Sequence, residues 1–421
     1  MTLTIADAIQ RGLRFNLGSI TANSSLKQLR GERLAVLSGM LPHIYGTVTV
    51  VGQKLDLQTL GLATGIFGPT PVPVTIGPFH YYSALANFDE NVSMTSVYNL
   101  RQSKASADAA EMSARDAREL VVLAVAGTYL NVLAAKANVV SEEAQVKQAE
   151  ATFRLSDDQV RAGTIPVIDR NRNVVEFHTE QQRLSSLRGD LTKQMMQLDR
   201  LIGLPVDQQL SLSEQLLPQV MRAPTIDEAL KAAAETRPDL QAARIQLQAA
   251  KDALRASKAE YLPSLGVNGM YGVQGVNPNK GASVFQASAS VHIPIFEGGR
   301  AKADVAQADS AVSQRQAEYA DQKGVVELEV REAYVDLQVA TDQIATATDN
   351  RAVAAETLNQ SLDRFRAGVT NSVEVVQSEE TVASAERDYI SSLLILNLAR
   401  ISVARASGQA ELFTPNMLKG N

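Results

Sequence analysis

Phe285-Gln286-Ala287-Ser288-Ala289-Ser290-Val291-His292-Ile293-Pro294-Ile295-Phe296-Glu297-Gly298-Gly299-Arg300 is the stretch on which the fold turns. Phe285, Ala287, Ala289, Val291, Ile293 and Ile295 alternate with Gln286, Ser288, Ser290, His292 and Pro294. A period of two marks a strand with unlike faces. After Arg300 the pattern changes to an alanine-rich, charged run that meets no proline through Ala367. Within it Val326, Val330, Ala333, Leu337, Ala340, Ile344 and Ala347 keep a 4-3 spacing. Such a spacing puts all seven on one seam of a coiled coil, where alanine permits close approach.

Working outward, Leu265, Val267, Tyr271 and Val273 alternate with Ser264, Asn268 and Gln274. Weaker alternation joins Ile44, Val48 and Val50, and again Tyr82, Ala84, Ala86 and Phe88. The expected strands are about 43–51, 81–98, 264–274 and 284–296. Charge avoids both regions: residues 40–100 carry only Lys54, Asp56, Asp89 and Glu90, and residues 261–296 only Lys280. Those same regions hold 11 of the 20 tyrosines and phenylalanines. Each run is near the roughly 9–11 residues of a tilted membrane strand. Half-buried strands of a soluble sandwich would alternate likewise. Four strands cannot close a barrel, whose smallest form has about eight, so the membrane reading requires several chains.

Composition narrows the function. With no cysteine among 421 residues there are no disulfides, thiolate nucleophiles or cysteine-held metals. A formal charge of -6 does not suit a nucleic-acid binder. No run of about 18 apolar residues is evident, so membrane-spanning helices are not expected. The N-terminus lacks a basic flank followed by an apolar stretch, and a mature or trimmed form is expected. His43, His80, His178 and His292 have no metal-ligand spacing, and no phosphate-binding or nucleophile motif occurs. Asp157-Asp158 and Glu379-Glu380 read as solvated helix faces. Neither an enzyme nor a cofactor is expected.

An internal repeat organises the rest. Thr4-Ile5-Ala6-Asp7-Ala8-Ile9 matches Thr225-Ile226-Asp227-Glu228-Ala229-Leu230 at an offset of 221. Leu41-Pro42 matches Leu262-Pro263 at the same offset. Beyond the strands the offset is 205, pairing Tyr129 with Tyr334, Arg161-Ala162-Gly163 with Arg366-Ala367-Gly368, and Gly203 with Gly408. The halves are 1–221 and 222–421, with tip turns at 161–166 and 366–371. Thr4 with Asp7 and Thr225 with Glu228 predict capping boxes. The earlier long helix is expected to set Ala110, Ala114, Ala117, Val121 and Ala124 on its seam. Tyr98 to Tyr129 spans 31 residues and Phe296 to Tyr334 spans 38, a difference of one heptad if the strand ends match.

On these features the chain resembles the TolC-like outer membrane factor family of Gram-negative efflux and type I secretion systems. Both repeats, the Leu-Pro entries, the Phe296-Glu297-Gly298-Gly299-Arg300 exit and the glycine turns carry the resemblance. It implies an α+β membrane protein: a long α-helical coiled-coil barrel plus four transmembrane β-strands per chain. As a homotrimer this forms a 12-stranded β-barrel and a periplasmic α-barrel. On that plan the β-barrel domain is 42–98 plus 263–296, and the α-barrel domain is 17–41, 99–202, 239–262 and 297–405. The equatorial region is 1–16, 203–238 and 406–421. The implied partners are a periplasmic adaptor (membrane fusion) protein, an inner-membrane pump and outer-membrane lipid, with no nucleic acid.

The resemblance also assigns residues. Gly163, Thr164, Gly368 and Val369 fall at tips that resemble adaptor-docking sites, and glycine suits such reversals because it accepts positive φ. Asp169 and Glu374 match acids near the constricted entrance, with Gln377 where a second acid often stands. Three copies of Glu374 would form a ring that attracts cations. Phe365 and Thr370 replace a tyrosine and an arginine that latch some members. Phe365 is expected as an apolar constriction, and Arg364 or Arg366 as a partner of Asp169 in a neighbouring helix. The connection 52–79, with Leu60, Leu62, Ile66, Phe67, Pro71 and Pro73, reads as an extracellular loop. A soluble coiled-coil scaffold with a small β-domain is the alternative reading.

Overall fold

A computed structural model describes residues 2–57, 59, 74–206, 208, 210–216, 218 and 225–418. In chain order the elements are β1 (Thr2–Leu3), α1 (Ile5–Phe15), α2 (Leu17–Ser38), β2 (His43–Asp56), β3 (Thr75–Val92), α3 (Met94–Arg161) and α4 (Val167–Leu201). Then come β4 (Ser211–Leu212), α5 (Ile226–Thr236), α6 (Pro238–Ala259), β5 (Ser264–Gly275), β6 (Ala282–His292), α7 (Arg300–Arg366), α8 (Ser372–Ala406) and α9 (Ala410–Phe413). The chain divides into two units. One comprises Met1–Leu26, Ala109–Arg244 and Glu318–Asn421; the other comprises Lys27–Asp108 and Ile245–Ala317.

The second unit is built on one antiparallel sheet in the order β2-β3-β5-β6. Its register pairs Val48 with Ala84, Ala84 with Val273, and Tyr271 with both Ala86 and Phe285. Facing residues share a side of the sheet. One side therefore collects Ile44, Val48, Val50, Tyr271, Val273, Phe285 and Val291, all exposed. The other side is polar and bonded across strands: Tyr81 Oη donates to Gln274 (2.7 Å), and Asn87 Nδ2 to Thr47 (3.0 Å). Among the described residues, β2 and β6 pair on one side only.

Several strand boundaries differ from the sequence expectation. Strand pairing runs to Asp56 and resumes at Thr75, so the connection expected at 52–79 is shorter; its Leu60, Leu62, Ile66, Phe67, Pro71 and Pro73 lie outside the described residues. β3 ends at Val92, not at 98, because the Ser93 hydroxyl accepts from Ser96 N (3.0 Å) and caps α3. β6 stops at His292, and beyond it Pro294 has no N–H for a ladder. Since α3 and α7 start at Met94 and Arg300 and run for 68 and 67 residues, the one-heptad difference disappears.

The helical unit has a core of three clusters. Ile5, Ala8 and Ile9 of α1 pack with Val122, Val125, Tyr129 and Leu133 of α3, and with Leu198 and Ile202 of α4. Ala229 and Ala233 of α5 pack with Val326, Val330, Ala333 and Leu337 of α7 and with Leu396 and Val403 of α8. Leu358, Leu362 and Phe365 of α7 pack with Val375 and Val382 of α8. All seven predicted seam positions of α7 are buried. On α3 the seam is different: Ala114 and Val121 are buried but Ala124 is exposed, and Val122, Val125 and Ala126 form a broader stripe. The reason is that α1, α4 and α8 also contribute to the core around it.

Both capping boxes form, Thr4 with Asp7 and Thr225 with Glu228. A parallel pairing of Thr2 with Ser211 and Leu3 with Leu212 ties β1 to β4. Contrary to expectation, α3 and α8 each contain an 18-residue window apolar enough to cross a membrane by length and composition. More than half of each window is buried within the chain, as in a core helix.

Candidate functional site

Two chain reversals in the helical unit bring the candidate residues together. After α3, Gly163 adopts φ +71°, and Thr164 N donates back to Gln159 O (3.0 Å). After α7, Gly368 adopts φ +70°, and Val369 N donates to Arg364 O (2.9 Å). Each closes a helix whose last carbonyls would otherwise lack partners. A Cβ at either glycine would meet nothing within 4 Å, so the backbone angle rather than space requires glycine. Gly163, Thr164, Gly368 and Val369 are all exposed. α8 opens on Asn371, whose Oδ1 accepts from Val373 N (3.1 Å).

Asp169 and Glu374 occupy the first turns of α4 and α8, where acids favour the helix dipole. Their surroundings differ. Asp169 is buried and accepts from Ser372 Oγ (2.7 Å), with Arg172 Nη1 at 3.3 Å. Glu374 is half-buried, accepts from Thr370 Oγ1 and lies 3.4 Å from Arg364 Nε. Gln377 is exposed in a groove of about 780 Å³ between α4 and α8, together with Ile168, Arg172, Val175, Val376 and Glu380.

Several expectations are corrected within the chain. Arg364 pairs with Glu374 and Arg366 with Asp363 (3.1 Å), so neither is the partner of Asp169. Each arginine stays close to its own hairpin, and the shorter Ser372 reaches Asp169 instead. Phe365 is 2% exposed, packed near Leu155, Ile165, Leu362 and Val375, and is a core residue rather than a constriction. Glu379 is not on a solvated face. It is buried, and its Oε1 accepts from Thr152 Oγ1 (2.7 Å). Burial pushes the Glu379 carboxyl above the ordinary range, against the opposing hydrogen bonds of Thr152 and Gln148. Its position between Val375 and Val382, four residues after one and three before the other, was the available signal. Asp157 pairs with Arg161 (2.7 Å) and Arg170 (3.1 Å), the latter joining α3 to α4.

Among the described residues no group of His, Asp and Glu side chains could hold a metal ion. The arrangement offers apolar packing, two exposed turns and acids fixed by hydroxyl hydrogen bonds.

The model of a family described as "Outer membrane efflux protein" matches residues 95–204 and 229–409. The chain is 23% identical over 317 residues to the outer membrane protein OprJ of Pseudomonas aeruginosa, covering 71% of this chain and 64% of that protein. It is 25% identical over 272 residues to the multidrug resistance outer membrane protein MdtP of Escherichia coli, covering 60% and 53%. The chain thus spans between half and two thirds of the length of these curated relatives. The solved MtrE outer membrane channel of Neisseria gonorrhoeae superposes with a TM-score of 0.81 at 18% identity, over 96% of this chain and 89% of that one.

Proposed function

The chain belongs to the outer membrane efflux protein family, and from that membership we propose that it is the passive exit duct of a tripartite efflux system. The observation that carries this reading is the sheet. Among the described residues it has four strands, two edges with free partners' places, and one apolar face on which Ile44, Val48, Val50, Tyr271, Val273, Phe285 and Val291 are exposed. Free edges invite pairing with another chain. Three copies supply twelve strands, an even number above the minimum for closure, with the apolar face toward lipid and the Tyr81, Gln274, Asn87 and Thr47 face toward water. Strands of 14, 18, 12 and 11 residues are long enough to cross.

In this assembly 1–221 and 222–421 act as repeats, and the waist is built from 1–16, 203–238 and 406–421. The exposed turns at Gly163-Thr164 and Gly368-Val369 dock a periplasmic adaptor, which couples the duct to an inner-membrane pump. Glu374 and Gln377 line the entrance, Glu374 as a threefold ring, while Asp169 is buried against Ser372. Thr370 and Arg364 hold that acid in place. The cargo is a set of small drugs, on the analogy of the relative named for multidrug resistance.

Sedimentation of the detergent-solubilised protein, followed by planar-bilayer recording, tests the reading. A detergent-binding particle of three chains that conducts ions is expected. A water-soluble monomer would overturn the proposal.

A further inference from the structure

Two carboxyl groups face each other in the helical unit, away from both chain reversals. Glu142 of α3 and Glu180 of α4 are each 3% exposed and lie within hydrogen-bonding reach of one another. Glu142 Oε1 and Glu180 Oε2 are buried without a donor. Arg183 Nη1 supplies one ion pair to Glu180 Oε1 (2.7 Å), leaving one close guanidinium for the two acids. Two turns away on the same face of α4, Asn173 is 2% exposed with neither Oδ1 nor Nδ2 bonded. Further acids stand by Glu180, Glu176 from α4 and Glu379 from α8, and Glu380 of α8 acts on Glu176. Arg387 of α8 is the other cation acting on Glu142, and Thr152 and Gln148 of α3 bond Glu379.

Two buried carboxylates at contact distance cannot both ionise, whereas a proton between them satisfies both unbonded oxygens. We propose that Glu142 and Glu180 share one proton, that Glu176 and Glu379 stand beside it, and that this proton binds α3 to α4 and α8 across their common seam. Losing it sets like charges against each other in the core and loosens the seam. The inference goes beyond the channel reading and holds whether or not the chain conducts.

Burial, then the Glu180 contact, pushes the Glu142 carboxyl up to about 8; burial and the charges of Glu180 and Glu380 push Glu176 to about 7. Both lie above the unfolded value of about 4.3, so the folded chain holds the extra protons between those limits. The seam is intact at acid pH, weakens as pH rises through this window, and reaches its weakest state above about 8.

Infrared difference spectra of the purified full-length chain, titrated from about pH 5 to about pH 9, read the proton directly. The parent is expected to lose a buried carboxylic-acid carbonyl band with a midpoint near 8. Glu142→Gln should remove the component with the midpoint near 8 and leave that of Glu176 near 7. Glu180→Gln should lower its midpoint by about one pH unit or more, tenfold in proton affinity. Glu380→Gln, on the exposed side of α8, should leave it unchanged. Amide exchange in 173–183, corrected for its intrinsic pH dependence, should rise as the parent band disappears and stay low in Glu142→Gln. A parent without the component near 8, that component surviving in Glu142→Gln, or its midpoint unmoved in Glu180→Gln overturns the shared proton. Exchange that ignores the band overturns its coupling to the seam.

Discussion

Ser372 Oγ donates to the buried carboxylate of Asp169 at 2.7 Å, joining the start of α8 to the start of α4. The residues are 203 positions apart, and the bond links one helical hairpin to the other beside both chain reversals. Removing Ser372 leaves Asp169 with Arg172, which is itself about half exposed. A hydrogen bond to a charged group contributes about 1.5–3 kcal/mol. Ser372→Ala should therefore lower the free energy of local opening at 166–172 and 371–376 by about that amount. Amide exchange at those segments measures it, with peptides from α1 as the internal reference.

Phe365 lies in the core, so Phe365→Ala should destabilise the helical unit by about 3–5 kcal/mol. Its effect on ion selectivity should be small. Denaturant titration together with reversal potentials distinguishes this from a lumen-facing ring, which would change selectivity with little loss of stability.

Glu374 is the opposite case. It is half-buried and held by Thr370 and Arg364, so Glu374→Gln should fold normally. If three copies ring the entrance, the variant should lose cation preference in bilayer recordings. Unchanged selectivity would sink the ring.

Arg237 is 1% exposed and pairs with Asp239 (2.5 Å) and Glu329. Burial alone would raise the Asp239 carboxyl, but the hydrogen bonds and charge of Arg237 outweigh it and hold the group below its ordinary value. A lowered acid stabilises above the unfolded value near 3.9 and loses that contribution as pH falls through the lower folded value. Arg237→Leu should cost about 3–5 kcal/mol near neutrality by leaving the acids uncompensated. The loss should shrink on acidification, which thermal melts at several pH values would detect.

On the sheet, Ala287 and Ser288 are neighbours on opposite faces, paired with Gly269 and Asn268. Ala287→Arg on the apolar face should cost about 2–4 kcal/mol in a bilayer, and Ser288→Arg far less. Equal effects in vesicle refolding would contradict the assignment of faces.

Local periodicity was legible in the strands and in α7, and less so in α3, where Ala124 of the expected seam is exposed. The alternation around Phe285 placed a strand, the 4-3 run from Val326 to Ala347 placed a buried seam, and Thr4 and Thr225 placed two caps. Gly163 and Gly368 announced reversals that need positive φ. Less legible were the ends of strands. Ser93 looks like any polar residue until its hydroxyl is seen to cap α3. The pairing of β1 with β4 was invisible, since two residues carry no period.

What the sequence determined by itself is therefore the type of each long element and, for α7, the side it buries, because both follow from a residue's spacing to neighbours a few positions away. Only the tertiary structure decided what each buried side meets. Glu379 reads as a solvated helix acid until the packing of α8 against α3 excludes water from it, and nothing in the sequence sets Glu142 and Glu180 apart. Phe365 is core and Asp169 bonds Ser372 because residues far apart in sequence converge there. Burial of a charge is set by the partner helix, and a period within one helix cannot name its partner.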